Sequence, residues 1–201
     1  MKLILVRHGW PDEGHEELAH DPPLCVDGLR QARAVAEQLA REHITHIVSS
    51  PQLRARQTAE ATSERLGLPI RTLDGWAEAD QHLPRYRSVD TLRSQGDSEW
   101  QRFLADPLRY LGVDADVFRA GVLDAFSTTV EYGGADGHTA VFTHGLPISL
   151  VLSHALGLDR LVRFGPGYAS ISRLVVRDAG SIGVVSINET GHHAWPRVSN
   201  A

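Results

Sequence analysis

The first forty residues contain one short, continuous apolar run and one longer helical pattern. Residues 3–6 are all apolar and the run stops at Arg7, which is typical of a parallel strand buried on both faces. Residues 27–41 carry apolar side chains at the spacing of an amphipathic helix, and Asp27 is placed to cap its start. The apolar positions of this predicted helix are Leu29, Ala32, Ala36 and Leu39.

The alternation of strand and helix patterns continues along the chain. Residues 46–49 predict a second strand. Pro51 then opens a predicted helix that Gly67 ends, because proline suits a first helical turn and glycine suits a helix end. Residues 139–143 predict a third strand, and residues 146–156 predict a helix with a proline in its first turn. This order predicts an α/β fold, with three α/β/α layers around a mostly parallel central sheet.

The remaining segments predict a hairpin and an insertion. Residues 171–176 and 182–187 are β-rich runs joined by a turn-forming sequence, which favours a closing hairpin at the edge of the sheet. Residues from about 78 to about 107 have no clean period and are rich in charge, which favours an irregular helical insertion that covers the sheet as a lid. We expect one domain over residues 1–201, with a polar tail from residue 191 onward.

Composition narrows the class of protein. The chain has 201 residues, 42% of them hydrophobic, and a formal charge of −5, so it is long enough to bury a sizeable core. The single cysteine, Cys25, cannot form an internal disulfide, which favours a cytoplasmic location. The acidic balance and the lack of a basic run argue against nucleic-acid or membrane partners. Residues 3–6 are too short a run for a signal peptide or a membrane span.

Residues suited to binding an anion follow three of the predicted strands. Arg7 and His8 come directly after the first strand. Arg54 lies one turn past the end of the second, and His144 follows the third. Ligands of an open parallel sheet lie beyond the carboxyl ends of its strands, so we expect these side chains to converge. Together with the helix N-terminus after His144, they predict a pocket for a dianion such as a phosphoryl group.

His8 is the candidate nucleophile. It lies between Arg7 and Gly9 directly after a buried strand, where the backbone faces the crevice and a structural histidine is out of place. A neutral imidazole there is able to attack phosphorus, and neighbouring guanidinium groups would stabilise the charge on the transferring group.

Four motifs occur in order along the chain. They are Arg7-His8-Gly9, the stretch Ser-Ser-Pro-Gln-Leu-Arg-Ala-Arg-Gln-Thr-Ala at 49–59, Glu78 within Trp-Ala-Glu-Ala-Asp, and Thr143-His144-Gly145. Four more residues of the motif pattern lie in the segment that leads into the first predicted helix, Leu24, Gly28, Gln31 and Ala32. In these motifs the chain resembles the histidine phosphatase superfamily, in its phosphoglycerate-mutase-like branch. The resemblance runs from residue 2 to about residue 188.

The resemblance implies a role for each site residue. His8 would be the nucleophile that becomes phosphohistidine. Arg7, Arg54 and His144 would bind the phosphoryl oxygens. Glu78 would protonate the leaving oxygen and then deprotonate the hydrolytic water, a double role that needs a pKa near the working pH. A covered cleft is able to raise the pKa of a carboxyl to that range by desolvation.

Two further carboxyl groups compete with Glu78 for the acid role. Asp74 and Asp80 are its neighbours in sequence, and residue type alone does not separate the three.

Departures from the family pattern bear on specificity. Related mutases and sugar-phosphate phosphatases often carry Thr and Asn where this chain has Pro11 and Gly14. The region from 80 to 100 lacks the Gly-x-Trp-Glu-Gly pattern common after the acid, and its Tyr86-Arg87 stretch resembles a less characterised phosphatase subgroup.

The sequence therefore predicts a metal-independent phosphoric monoester hydrolase that needs no cofactor and acts on small phosphorylated substrates. Two alternatives stay open, a phosphoglycerate-mutase-type phosphoryl transferase and a non-catalytic module that binds phosphorylated ligands. Chain length favours hydrolysis, because the dedicated mutases of the family usually carry longer insertions. A homodimer also stays open.

Other site chemistries lack support in the sequence. A cysteine-dependent phosphatase needs Cys-x5-Arg, whereas the required position after Cys25 is Gln31 and the arginine, Arg30, falls one residue short. His192-His193 and the acidic stretch 15–21 lack the ligand spacing of a metal site, so we expect no metal.

Overall fold

The predicted strands and helices assemble into one mixed sheet with helices on both faces. The computed structural model describes residues 1–94, 96–158, 161, 164–177 and 181–193. The strands are β1 (Lys2–Arg7), β2 (His46–Ser49), β3 (Ile70–Thr72), β4 (His138–Thr143), β5 (Ile171–Val176) and β6 (Ile182–Glu189). The helices are α1 (Val26–Leu39), α2 (Leu53–Leu66), α3 (Val89–Ser94), α4 (Asp97–Ala105), α5 (Pro107–Tyr110), α6 (Ala115–Gly133) and α7 (Gly145–Ala155).

The order of the strands is β3-β2-β4-β1-β5-β6. The first four run parallel to one another. The predicted hairpin extends the sheet beyond β1, with β5 antiparallel to β1 and β6 antiparallel to β5. Arg7 at the end of β1 pairs with Thr143 at the end of β4, and Ser49 at the end of β2 pairs with Phe142. The carboxyl ends of three neighbouring strands, β2, β4 and β1, therefore lie side by side, as predicted.

Two hydrophobic cores confirm the three-layer arrangement. Leu3 and Leu5 of β1 pack in the core that includes residues of α6 and α7. Ile4 and Val6 face the opposite way, into the core that includes residues of α1 and α2. Successive side chains of a strand point to opposite faces, so a strand that is apolar at every position buries both faces.

The start of α1 differs from the prediction. Cys25, not Asp27, occupies the N-cap, and its Sγ accepts a hydrogen bond from a first-turn N–H at 3.4 Å. Leu29, predicted to face the core, is 41% exposed. Gln31 is buried instead, because its side-chain oxygen accepts the backbone N–H of Trp10 at 2.8 Å. The other three predicted apolar positions are buried as predicted, Ala32, Ala36 and Leu39. The hydrogen bond of Gln31 adds a polar residue to the buried face that apolar periodicity does not reveal.

The ends of helix α2 agree more closely with the prediction. Helix α2 begins at Leu53, two residues later than predicted, and ends at Gly67, whose φ of 68° suits glycine. The predicted hairpin turn includes residues 178–180, and the predicted polar tail includes residues 194–201; these residues lie outside the described ones.

Two elements were not anticipated. Strand β3 is only three residues long, which is too short to show an alternating pattern. Helix α6 has 19 residues, but its apolar side chains lie on more than one face, so the sequence shows no clear helical period there. The predicted insertion contains α3 and α4, and α5 continues it to Tyr110. Among the described helices, none combines the length and the apolar character needed to cross a membrane.

Candidate active site

The five predicted site residues come together at the carboxyl edge of the sheet. Arg7, His8, Arg54 and Glu78 line one cleft, whose empty volume is about 640 Å³ with its open mouth included. His144 is buried, with its ring centroid 5.0 Å from that of His8. The insertion forms part of the cleft wall through Tyr86, Val89, Leu92 and Phe103.

His8 is held as a neutral imidazole with a defined tautomer. Its Nδ1–H donates to the carbonyl of Gly9 at 2.7 Å, which leaves the lone pair on Nε2. Burial lowers the pKa of His8 well below its usual value, and the charges of Arg54 and Arg7 lower it further. Gly9 is required here, because a Cβ at this position would lie 2.6 Å from the carbonyl oxygen of Gly28. The result is a buried nitrogen nucleophile that does not need to lose a proton at neutral pH.

Arg54 is fully buried at the start of α2 and is fixed by two carboxylates. Its Nη2 donates to both oxygens of Asp80 at 3.0 and 3.1 Å, and its Nη1 lies 3.4 Å from Asp21. The ring of Tyr86 lies 4.4 Å from the guanidinium carbon. Asp21 also accepts the backbone N–H of Leu53, which ties the loop before α1 to the start of α2. The guanidinium is thus positioned before any ligand arrives.

Arg7 is held by fewer contacts than Arg54. Its Nη1 donates to the carbonyl of Pro166 at 2.6 Å, and its guanidinium carbon lies 4.2 Å from the ring centroid of Tyr168.

His144 is also uncharged. Its Nε2 and the Ser50 hydroxyl are 2.8 Å apart. Burial lowers its pKa well below the usual value, and the nearby charge of Arg54 adds to this effect. A neutral His144 is able to donate one hydrogen bond to a bound anion.

Glu78 lies at the N-terminus of α7. Its Oε2 accepts the backbone N–H of Leu146 at 3.1 Å, and its Oε1 accepts that of Ala79 at 3.0 Å. Burial raises the pKa of Glu78 to about 7, and the negative charge of Asp80 contributes in the same direction. The two N–H donors and the charge of Arg54 oppose the shift. This carboxyl is therefore poised to gain and lose a proton near neutral pH.

The structure separates Glu78 from its two competitors. Asp80 lines the same cleft, but its carboxylate is engaged by Arg54 and by the side-chain amide of Gln52 at 3.0 Å. Asp74 lies in the turn Asp74–Trp76 and is not among the residues that line the cleft. Gln52 also accepts the backbone N–H of Glu78 at 2.7 Å, so one side chain positions both acidic segments.

Sequence reasoning missed the positions that several residues take in the site. Asp21, Gln52, Asp80 and Tyr86 surround Arg54, and Tyr168 lies beside Arg7. Gln52 lies inside a motif that was recognised, and Asp80 comes two positions after Glu78, so the motifs gave a partial signal for both. Tyr168 had none, since it is 160 positions from His8 in the chain.

The two stretches considered for a metal make other contacts. Asp21 pairs with Arg54 and Glu16 with Arg85, while His192 Nε2 donates to the carbonyl of Ala169 at 2.9 Å. Within the described ranges, no group of three or more His, Cys, Asp or Glu side chains is arranged to hold a metal ion.

Comparison with known proteins identifies the family. The model of the histidine phosphatase superfamily (branch 1) matches residues 3–190. The chain belongs to this superfamily. It is 26% identical over 199 residues to phosphoserine phosphatase 1 of Hydrogenobacter thermophilus, covering 96% of this chain and 94% of the relative. It is 29% identical over 206 residues to a probable phosphoglycerate mutase GpmB of Proteus mirabilis, covering 100% of this chain and 89% of the relative.

A solved structure shares the fold. The structure of Bacillus stearothermophilus YhfR aligns with a TM-score of 0.75 at 21% identity, over 95% of this chain and 98% of that one. Membership of the histidine phosphatase superfamily supports a phosphatase or a related phosphoryl-transfer enzyme.

Proposed function

We propose that the chain hydrolyses small phosphate monoesters through a phosphohistidine on His8. The observation that carries the proposal is the pairing of a neutral nucleophile with an acid that titrates near neutrality. His8 presents the lone pair of Nε2, and Glu78, with a pKa of about 7, lines the same cleft. Arg7, Arg54 and His144 add donors for the three phosphoryl oxygens, as phosphoryl transfer requires.

The reaction proceeds in two balanced steps. In the first, Nε2 of His8 bonds to phosphorus, the bond from phosphorus to the ester oxygen breaks, and protonated Glu78 gives its proton to that oxygen. In the second, water attacks the phosphohistidine while the Glu78 carboxylate takes one of its protons. The bond from nitrogen to phosphorus breaks, phosphate leaves, and both side chains return to their starting states.

The first test separates hydrolysis from mutase chemistry and from binding without turnover. We expect the purified protein to release phosphate from phenyl phosphate and alkyl phosphates without a bisphosphate primer. Turnover should persist in EDTA, because His8, Glu78 and the two arginines supply the nucleophile, the proton and the positive charge. Interconversion of phosphoglycerates that depends on a primer would favour the mutase suggested by the GpmB relative. Phosphate binding without turnover would identify a binding module.

The second test concerns Glu78. Glu78→Gln cannot donate a proton, so we expect kcat/KM to fall by about 100-fold or more for alkyl phosphates and much less for nitrophenyl phosphate, whose leaving group needs little protonation. An acid works below its pKa, so the native enzyme should lose kcat/KM on alkyl esters as the pH rises through about 7. This decline should be absent in Glu78→Gln.

The neighbouring carboxyl provides the control for Glu78. At a pH well below 7, where Glu78 stays protonated with or without the charge of Asp80, Asp80→Asn should lower activity on both classes of ester by the same factor, because Asp80 positions Arg54. If Glu78→Gln loses equally on good and poor leaving groups, the acid role does not belong to Glu78.

A further inference from the structure

Four buried polar atoms around His8 have no hydrogen-bond partner within the part of the chain that the structure describes. They are Arg7 Nε, Arg54 Nε, His144 Nδ1 and the Tyr168 hydroxyl. Buried polar atoms are nearly always hydrogen-bonded, so a cluster of exceptions indicates a missing ligand. Three of these atoms belong to residues already proposed to bind the phosphoryl group. The fourth belongs to a residue with no proposed role.

Tyr168 is held in place beside the nucleophile. Its ring centroid is 5.5 Å from that of His8, and the guanidinium carbon of Arg7 lies 4.2 Å from it. The ring of Trp10 stacks nearly parallel to it, with an interplanar angle of 9° and a centroid distance of 6.1 Å. A ring with aromatic and cationic neighbours has little rotational freedom, so the direction of the hydroxyl is set before a ligand binds.

Tyr168 and Tyr86 each lie against one arginine of the site. Tyr86 lines the cleft, and its ring covers Arg54. Its pKa is held well above the usual value, first by burial and then by Tyr168, while the charges of Arg54 and Arg7 oppose the shift. The ring contacts of Arg7 with Tyr168 and of Arg54 with Tyr86 place both tyrosines beside the arginines of the site, and the effect of Tyr168 on Tyr86 agrees with this placement.

We propose that Tyr168 is a further phosphate-binding residue, whose hydroxyl donates a hydrogen bond to a non-bridging oxygen of the phosphoryl group beside Arg7. This inference rests on the proposed function, because it concerns the same pocket. A phenol O–H donates a hydrogen bond without carrying a positive charge, so it adds a contact without placing another cation next to His8.

The variant Tyr168→Phe tests the hydroxyl and keeps the ring. Removing an unpartnered buried hydroxyl should leave the melting temperature of the unliganded protein unchanged or raise it. Inorganic phosphate, titrated by calorimetry, should bind about tenfold more weakly than to the native chain, since a hydrogen bond to an anion is lost. A structural hydroxyl would give the opposite pattern, with lower stability and unchanged affinity.

Turnover gives an independent readout. The loss of kcat/KM in Tyr168→Phe should be about tenfold for every ester, whatever its leaving group, because the phosphoryl group is common to all. The matched control is Tyr132→Phe, whose ring also lies over an arginine, Arg71, at 4.6 Å but outside the cleft. It should change neither phosphate affinity nor turnover.

The outcomes separate this inference from the function on which it rests. If the native chain neither binds phosphate nor hydrolyses any ester, the proposed function fails. If the native chain does both and Tyr168→Phe binds phosphate equally well, or is less stable without ligand, the role of Tyr168 fails alone.

Discussion

His8→Ala should abolish phosphate release from every ester, with a loss of about 10⁴-fold or more in kcat. The reason is that the proposed mechanism has His8 supply the atom that bonds to phosphorus, and among the described residues that line the cleft no other side chain presents a neutral imidazole nitrogen. His144, its neighbour at 5.0 Å, is buried, and its Nε2 is engaged by the Ser50 hydroxyl. Native protein quenched during turnover should carry an acid-labile phosphate that the variant lacks.

Loss of the nucleophile should leave the rest of the site intact. Arg7, Arg54 and His144 remain in His8→Ala, so inorganic phosphate should still bind, and the unfolding transition should stay cooperative. The control is His46→Ala, which removes a histidine that packs on Tyr132 away from the cleft and should keep full activity. Turnover by His8→Ala within tenfold of the native rate would overturn the mechanism.

Arg54→Met should be the most damaging single change to stability and activity together. Its removal leaves the carboxylates of Asp80 and Asp21 without their counter-charge, and breaking a buried ion pair in this way costs about 3–5 kcal/mol of unfolding free energy. Loss of the guanidinium should also lower kcat/KM by about 10³-fold, because an arginine that stabilises phosphoryl transfer contributes on that scale. Chemical denaturation and steady-state kinetics measure the two effects.

A double variant distinguishes the two roles of Arg54. Adding Asp80→Asn to Arg54→Met removes one uncompensated charge, so part of the lost stability should return while activity does not. Arg56→Met is the control on the same helix, since Arg56 is half-exposed in an ion pair with Glu60 and should change stability by less than about 0.5 kcal/mol. Full activity in Arg54→Met would exclude its role in binding the phosphoryl group.

Much of the fold could be predicted from the sequence because the central strands of this sheet are buried on both faces. Such strands are continuous apolar runs, and the polar residues that end them, such as Arg7 and His144, mark the edge where a ligand binds. Helix α6 escaped prediction because its apolar side chains are not confined to one stripe. On α1 the periodicity correctly predicted that Ala32, Ala36 and Leu39 are buried, but it did not predict that Leu29 is exposed or that Gln31 is buried through its hydrogen bond with the loop after β1.

The sequence by itself determined the family resemblance and four positions, Arg7, His8, Arg54 and His144, because each directly follows a strand or opens a helix. It did not decide which nearby carboxyl is the better candidate for the acid. Burial raises the pKa of Glu78 to about 7, and its carboxylate contacts Leu146, which is far from it in the chain. Asp80 is instead the ion-pair partner of Arg54, which is also distant in the chain. Tyr168 likewise reaches His8 only through the tertiary fold. Proton affinity and hydrogen-bond partners depend on distances in space, and those are set when the chain packs.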